Sequence, residues 1–171
     1  MKFSQLIESL PDGGGVVFGE GFTSTSELVS LARGAASDLQ RRGIRLGDRV
    51  ASMVDNSLAS LVAWFGSALA GAEYVPVNTR LRGGTLAYIL TDSAPRLVIA
   101  DAAHNGAIKT CEPGTLPLLL ESHAWLRELD PAAESHGCIE GGGCMIYTSG
   151  TTGRPKGVQW LSETQALHAK S

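Results

Sequence analysis

Residues 148–157 have the sequence Thr-Ser-Gly-Thr-Thr-Gly-Arg-Pro-Lys-Gly and lie between the apolar segments 144–147 and 157–160. These ten residues hold four hydroxyl side chains, three glycines, two cations and no carboxylate. Glycines let backbone N–H groups approach a ligand closely, and hydroxyls add further donors. Arg154 and Lys156 add positive charge that a polyphosphate can use. The pattern predicts a phosphate-binding loop between two strands.

This loop differs from the common P-loop, in which Gly-Lys is followed by Ser or Thr. Here Pro155 precedes Lys156, and Gly157 follows it. The alternative interpretation is a surface hairpin rich in turn residues. Both cations and the full spacing inside one strand–loop–strand unit favour phosphate binding.

Strand-like and helix-like segments alternate along the chain before this loop. Ser24 to Glu27 has the spacing of a capping box, and the apolar stripe that follows predicts a helix at 26–42 with Gly43 after it. The other predicted elements are a hairpin at 16–23, strands at 49–54, 73–77 and 96–100, and helices at 58–70 and 85–90. The alternation predicts an α/β fold with a mostly parallel sheet flanked by helices.

Residues 102–140 are less regular, with a strand expected at 116–120 and a helix at 124–129. Gly141 to Gly143 is interpreted as a flexible joint before the last strands. Trp64 and Phe65 lie in the most apolar predicted helix, so we expect them to pack in the core.

The composition indicates a folded domain. The chain has 171 residues, of which 43% are hydrophobic and 18% charged. This content supports a core and argues against a disordered chain. The net charge of −3 leaves no basic surplus for a run of phosphates, so nucleic-acid binding is not expected.

Cysteine usage and hydropathy predict a cytoplasmic protein without a membrane span. The chain has three cysteines, and this small, odd number does not suit a disulfide framework. Its longest uncharged stretch, residues 56–72, is shorter than the ~20 apolar residues that a bilayer requires.

The histidines do not predict a metal site. His104, His123, His136 and His168 are scattered, and a lone histidine is more often structural than catalytic. His136, Cys138 and Cys144 are close in sequence but lack a fourth ligand and a CxxC pair. We therefore expect no protein-held zinc.

Residues 147–158 resemble the AMP-binding signature of the adenylate-forming superfamily, which contains acyl- and aryl-CoA synthetases, peptide-synthetase adenylation domains and beetle luciferases. Further stretches resemble the N-terminal part of these enzymes in order and spacing: 47–50, 56–57, 71–78, 86–90 and 92–93. Pro76-Val-Asn78 is more similar to CoA ligases than to peptide synthetases, but Leu161-Ser162 stands where many CoA ligases have Ser-His or Thr-His.

The resemblance implies a ligase that uses a small carboxylic acid, ATP with Mg²⁺, and CoA. The carboxylate forms an acyl-adenylate with release of pyrophosphate, and the thiol of CoA then takes the acyl group. The implied residues that bind the β- and γ-phosphates are Thr148, Ser149, Gly150, Thr151, Thr152, Gly153 and Lys156. Lys156 is also implied to stabilise the departing pyrophosphate.

Residues 1–171 resemble only the N-terminal part of an AMP-binding domain, which ends here shortly after the loop 148–157. By this resemblance we expect a role in fatty acid metabolism for the full-length enzyme and no activity from the piece alone. The alternatives are a non-catalytic remnant that acts as an interaction module, or part of a peptide-synthetase adenylation domain. A homo-oligomer is compatible with the sequence.

Overall fold

A computed structural model of the chain describes residues 1–111, 118–133, 141–148 and 153–169. The strands are β1 (Gly15–Phe18), β2 (Gly21–Ser24), β3 (Arg49–Met53), β4 (Glu73–Pro76), β5 (Leu97–Ala100), β6 (Leu118–Glu121), β7 (Cys144–Thr148) and β8 (Lys156–Trp160). The helices are α1 (Phe3–Glu8), α2 (Thr25–Arg41), α3 (Leu58–Leu69), α4 (Gly83–Ser93), α5 (Ala102–Lys109), α6 (Ser122–Glu128) and α7 (Ser162–His168).

The main sheet of the described residues has the strand order β6-β5-β3-β4-β7-β8. Strands β3 to β7 pair in parallel, whereas β8 returns antiparallel to β7. Strands β1 and β2 form a separate antiparallel hairpin. The predicted α/β fold with a mostly parallel sheet is confirmed.

Two apolar cores lie on the two faces of this sheet. Strand β5 shows the division, because Leu97 and Ile99 belong to one core and Val98 and Ala100 to the other. All four side chains are buried, as expected for a parallel strand covered by helices on both faces. Helices α2, α3 and α6 contribute to the first core, and α4 and α5 to the second.

Helix α2 begins and ends as the sequence predicts. The Ser24 hydroxyl accepts a hydrogen bond from the Glu27 backbone N–H at 3.2 Å, and Gly43 follows with a φ of +87°. The helix packs mainly on α3, where a Cβ added to Gly66 would lie 2.5 Å from the Ala35 Cβ. Small residues therefore allow the two helices to approach closely.

Helix α6 is fixed to α2 by a buried hydrogen bond. The Trp125 indole N–H donates to the Asp38 carboxylate at 2.8 Å, and the Arg42 guanidinium donates to the same oxygen at 2.6 Å. Burial of the Asp38 carboxylate without partners would be costly, so the Trp125 and Arg42 donors stabilise it. Strand β6 and helix α6 confirm the two expected elements, although residues 116 and 117 lie outside the described part.

Helices α1 and α5 were not predicted. Both are short, and tertiary contacts rather than sequence pattern hold them. The Phe3 ring on α1 stacks on the Trp64 ring with centroids 5.1 Å apart, and the Phe3 N–H donates to the Ser162 hydroxyl of α7 at 2.8 Å. Trp64 and Phe65 are half-buried at the edge of the first core, so their expected packing is confirmed in part.

The interpretation of Gly141 to Gly143 as a flexible joint is wrong. Gly141 and Gly142 have φ values of +100° and +79° and lie directly against the end of α3. The Gly143 carbonyl accepts a hydrogen bond from the Tyr74 N–H at 2.9 Å. The glycines allow a close backbone approach that aligns β7 with β4.

No helix among the described residues is both long enough and apolar enough to cross a membrane.

The close approach at Gly141 makes a testable prediction about stability. In Gly141→Ala, the new Cβ would lie 2.5 Å from the Gly71 carbonyl oxygen, in addition to the strain of a positive φ. Gly13→Ala is the matched control, because Gly13 has a φ of +90° and open surroundings. We expect Gly13→Ala to lower the free energy of unfolding by about 1–2 kcal/mol and Gly141→Ala by about 2–5 kcal/mol, measured by urea denaturation. Equal losses would contradict the close packing.

Candidate functional site

The candidate site is the loop between β7 and β8. The two strands pair up to Thr148 opposite Lys156, and both of these side chains are exposed. Gly153 is exposed as well. The predicted site residues Ser149, Gly150, Thr151 and Thr152 lie outside the described residues. The described flanks therefore place Thr148, Gly153 and Lys156 at one end of a β-hairpin.

Gly157 makes room for a tyrosine on the opposite strand. It pairs with Tyr147, and a Cβ at this position would lie 2.2 Å from the Met145 Cε and 3.2 Å from the Tyr147 Cζ. Any larger residue would displace both side chains. The last glycine of the loop sequence thus has a packing role that its turn-forming interpretation did not include.

The Tyr147 side chain links the loop to helix α4. Its hydroxyl donates to the Asp92 carboxylate at 2.6 Å. Burial raises the pKa of the Tyr147 hydroxyl above its ordinary value, and the hydrogen bond and negative charge of Asp92 raise it further. Tyr147 therefore keeps its proton and remains a hydrogen-bond donor at neutral pH.

A cleft of about 690 Å³ lies beside the loop. Its lining comes from the segments after β3 and β4, from β7, from α4 and from Pro155: Val54, Asp55, Asn56, Pro76, Val77, Asn78, Thr79, Leu81, Thr85, Ile89, Ile146, Tyr147 and Pro155. The carboxyl ends of parallel strands are the usual place for ligands in α/β sheets. The cleft is therefore the natural extension of the loop as a binding site.

The two loop cations are available to an anion. Lys156 and Arg154 are exposed, and neither forms an ion pair with another described residue. The Arg154 guanidinium instead lies 5.3 Å from the centre of the Tyr88 ring on α4. Positive charge that has no carboxylate partner in the described part of the chain favours a negatively charged ligand here.

Asp55 occupies the cleft wall in a polar network that the sequence did not reveal. A hydrogen bond from the Thr79 side chain holds the pKa of the Asp55 carboxyl below its ordinary value, and His104 adds to this effect. The backbone N–H of Asp55 donates to the Asp101 carboxylate at 2.8 Å. These residues are far apart in the sequence, so only the fold brings them together.

Asp55, Asp101 and His104 also place their potential metal-ligating atoms within 4.8 Å of one another. The Nε2 atom of His104 lies 3.4 Å from the Asp55 carboxylate, an ion pair when the imidazole is protonated. Asp101 also accepts a hydrogen bond from the Ser122 hydroxyl. Hydrogen bonds within the protein therefore already engage both carboxylates of this group.

The expectation of no zinc site concerns residues that the structure describes only in part. Burial raises the pKa of the Cys144 thiol to about 12, which disfavours the thiolate that binds zinc. His136 and Cys138 lie outside the described residues.

Comparison with known proteins identifies similar sequences and structures. A family model described as AMP-binding enzyme matches residues 7–168. The chain is 36% identical over 155 residues to the long-chain-fatty-acid–CoA ligase FadD13 of Mycobacterium tuberculosis, covering 85% of this chain and 31% of the ligase. It is 32% identical over 160 residues to tyrocidine synthase 2 of Brevibacillus parabrevis, covering 91% of this chain and 4% of the synthase.

A solved structure has the same architecture. ATP-bound MatB from Rhodopseudomonas palustris matches with a TM-score of 0.83 and 26% sequence identity, over 99% of this chain and 37% of MatB. The chain thus spans about a third of the length of FadD13 and MatB, and a small part of tyrocidine synthase 2.

The Asp55–Thr79 contact predicts a change in titration. Thr79→Val removes the hydroxyl that holds the Asp55 pKa down, so this pKa should rise toward its ordinary value. The lowered pKa of Asp55 contributes to the free energy of unfolding at pH values above the ordinary carboxyl pKa. The wild type loses this contribution as the pH falls through the pKa of Asp55 in the folded protein. Because Thr79→Val lacks the contribution, its free energy of unfolding should fall less in acid. Carboxyl NMR titration measures the pKa. Thr85→Val, in the same cleft lining, is the control, and an unchanged Asp55 pKa in Thr79→Val would contradict the contact.

Proposed function

The chain belongs to the family of AMP-binding enzymes, and we propose that it forms the phosphate-binding part of an AMP-forming acid–thiol ligase. In the first step, a carboxylate attacks the α-phosphorus of ATP, and pyrophosphate leaves. In the second step, the thiol of CoA attacks the acyl-adenylate carbonyl, and AMP leaves. Since the chain spans about a third of the FadD13 ligase, the complete reaction is proposed for an enzyme of that full length.

The observation that carries this proposal is the position of Lys156. It is exposed at the end of the β7–β8 hairpin, has no ion-pair partner among the described residues, and follows Pro155 in the cleft lining. In this proposal the β- and γ-phosphates of ATP contact Thr148, Ser149, Gly150, Thr151, Thr152, Gly153 and Lys156. Phosphoryl chemistry of this kind depends mainly on positioning and on neutralising charge, which a lysine beside N–H and hydroxyl donors supplies.

Magnesium accompanies ATP in this proposal. Mg²⁺ usually keeps several waters and binds phosphate oxygens together with few protein ligands. The exposed Thr148 hydroxyl, at the described end of the hairpin, offers an oxygen ligand. One such ligand fits a magnesium ion that is bound mainly by the phosphates of ATP. When bound, the ion neutralises part of the phosphate charge.

We propose a fatty acid as the first class of carboxylic acid to test, with CoA as the acceptor and a cytoplasmic role in fatty acid metabolism. The similarity to a long-chain-fatty-acid–CoA ligase supports this choice of acid, and the likeness of Pro76-Val-Asn78 to CoA ligases supports CoA as the acceptor. The free thiols Cys111 and Cys144 are consistent with a reducing compartment.

A second candidate is activation of an amino acid, as part of a peptide synthetase. The match to tyrocidine synthase 2 is the observation that favours it. Pyrophosphate exchange with a panel of fatty, aromatic and amino acids distinguishes the two candidates. A full-length enzyme that supports no exchange with any acid would indicate a non-catalytic binding module.

Lys156→Ala tests the assignment of the loop to pyrophosphate. A charge-assisted contact contributes about 1.5–3 kcal/mol, so adenylate formation should slow about ten- to a hundredfold. Lys156→Arg should recover only part of the rate, because a planar guanidinium replaces a compact ammonium. Thioester formation from a synthetic acyl-adenylate should hardly change, since no pyrophosphate remains to be held.

The matched control is Lys109→Ala, which removes an exposed lysine at the end of α5. It should leave both half-reactions unchanged. Equal impairment of both half-reactions in Lys156→Ala would mean that the loop is a general structural element.

A further inference from the structure

Helix α4 contacts both sides of the candidate phosphate loop. Tyr88 and Asp92 are four residues apart on this helix and therefore lie on one of its faces. Asp92 contacts Tyr147, which precedes Thr148, and Tyr88 contacts Arg154, which precedes Pro155 and Lys156. One face of one helix thus holds the chain where it enters the loop and where it leaves.

The contact on the β7 side is a short hydrogen bond to a carboxylate. The Tyr147 hydroxyl lies 2.6 Å from Asp92 Oδ2, and its ring lies across the position where Gly157 has no Cβ. Hydrogen bonds to a charged group are among the stronger ones in proteins, so this contact is able to fix the end of β7.

The contact on the β8 side is a cation–π interaction. The Arg154 guanidinium carbon lies 5.3 Å from the centre of the Tyr88 ring, within the distance at which such contacts are favourable. The Tyr88 hydroxyl lies 3.4 Å from Asp92 Oδ1, the other oxygen of the same carboxylate. Asp92 therefore interacts with both tyrosines.

We propose that Asp92, acting through Tyr147, is a positioning residue that holds the phosphate loop ready for ATP, with Tyr88 and Arg154 supporting the other side. This inference rests on the proposed function, because it assigns ATP to the loop. Holding the flanking residues Thr148 and Lys156 in one place for a ligand costs conformational entropy. Anchoring both flanks before ATP arrives reduces that cost at the moment of binding.

The contact between Asp92 and Tyr147, called the anchor below, should affect the binding of ATP and not the transfer of the acyl group to the thiol. Tyr147→Phe removes only the hydroxyl, and Asp92→Leu replaces the carboxylate acceptor with an apolar side chain. We expect each variant to raise the KM for ATP and the Kd for ATP about five- to twentyfold, since one charge-assisted hydrogen bond is lost. Asp92→Asn keeps a carbonyl acceptor and should have a smaller effect. Thioester formation from synthetic acyl-adenylate should keep its wild-type rate.

Coupling between the two residues is measured with the double variant. If Asp92 acts through Tyr147, combining Tyr147→Phe with Asp92→Leu should cost no more than the larger single effect. The control is Tyr74→Phe, a buried tyrosine of β4 that does not line the cleft, and its ATP parameters should match those of the wild type. Urea denaturation of each variant reports whether the fold is retained.

The outcomes separate this inference from the proposed function. If the wild type binds ATP and exchanges pyrophosphate but Tyr147→Phe keeps the wild-type Kd and KM for ATP, the anchor is overturned and the proposed function stands. Equal losses in both half-reactions, or additive effects in the double variant, also overturn the anchor. A full-length wild-type enzyme that neither binds ATP nor exchanges pyrophosphate with any acid overturns the proposed function and the anchor together.

Discussion

Parallel pairing of β3 with its neighbours determines where the site lies. Parallel strands bring their carboxyl ends to the same edge, so the segments after β3 and β4 meet beside the end of β7. The pairing depends on burial, because Val50, Ala51, Val98 and Ile99 are fully enclosed between the two helical layers. It also depends on Gly143, whose carbonyl aligns β7 with Tyr74 on β4. Without this alignment the loop would not border the cleft.

Antiparallel β8 gives the loop its particular form. A parallel continuation would require a long crossover, whereas the return of the chain beside β7 makes the loop the end of a hairpin. The loop differs in this respect from a P-loop, which leads into a helix. The charge of Lys156 thus stands at the start of a strand and not on a helix.

Local patterns predicted much of the fold but little of the site's surroundings. The capping residue Ser24 and the four-residue apolar run of β5 indicate their elements directly. A local hydrogen bond marks the start of α2, and burial on both faces of the sheet requires an unbroken apolar run in β5. Helix α1 could not be predicted in the same way, because so short a helix depends for its stability on a contact with the distant Trp64 ring. Gly141 gave a misleading signal, because the sequence does not distinguish a mobile glycine from one that lies against another backbone. The sequence predicts the loop's donors and cations, but the fold alone pairs Asp92 with Tyr147, 55 residues away.

The contact between α1 and α7 has a consequence for how the chain folds. The Phe3 N–H and the Ser162 hydroxyl are separated by 159 residues of sequence, and Lys2 forms an ion pair with Glu163 beside them. Contacts of such high contact order form at a lower entropic cost once the intervening chain is ordered, because ordering shortens the loop that has to be closed. We therefore expect docking of α1 on α7 to follow the pairing of β3, β4 and β5. A nascent chain could not complete this face until residue 162 had left the ribosome.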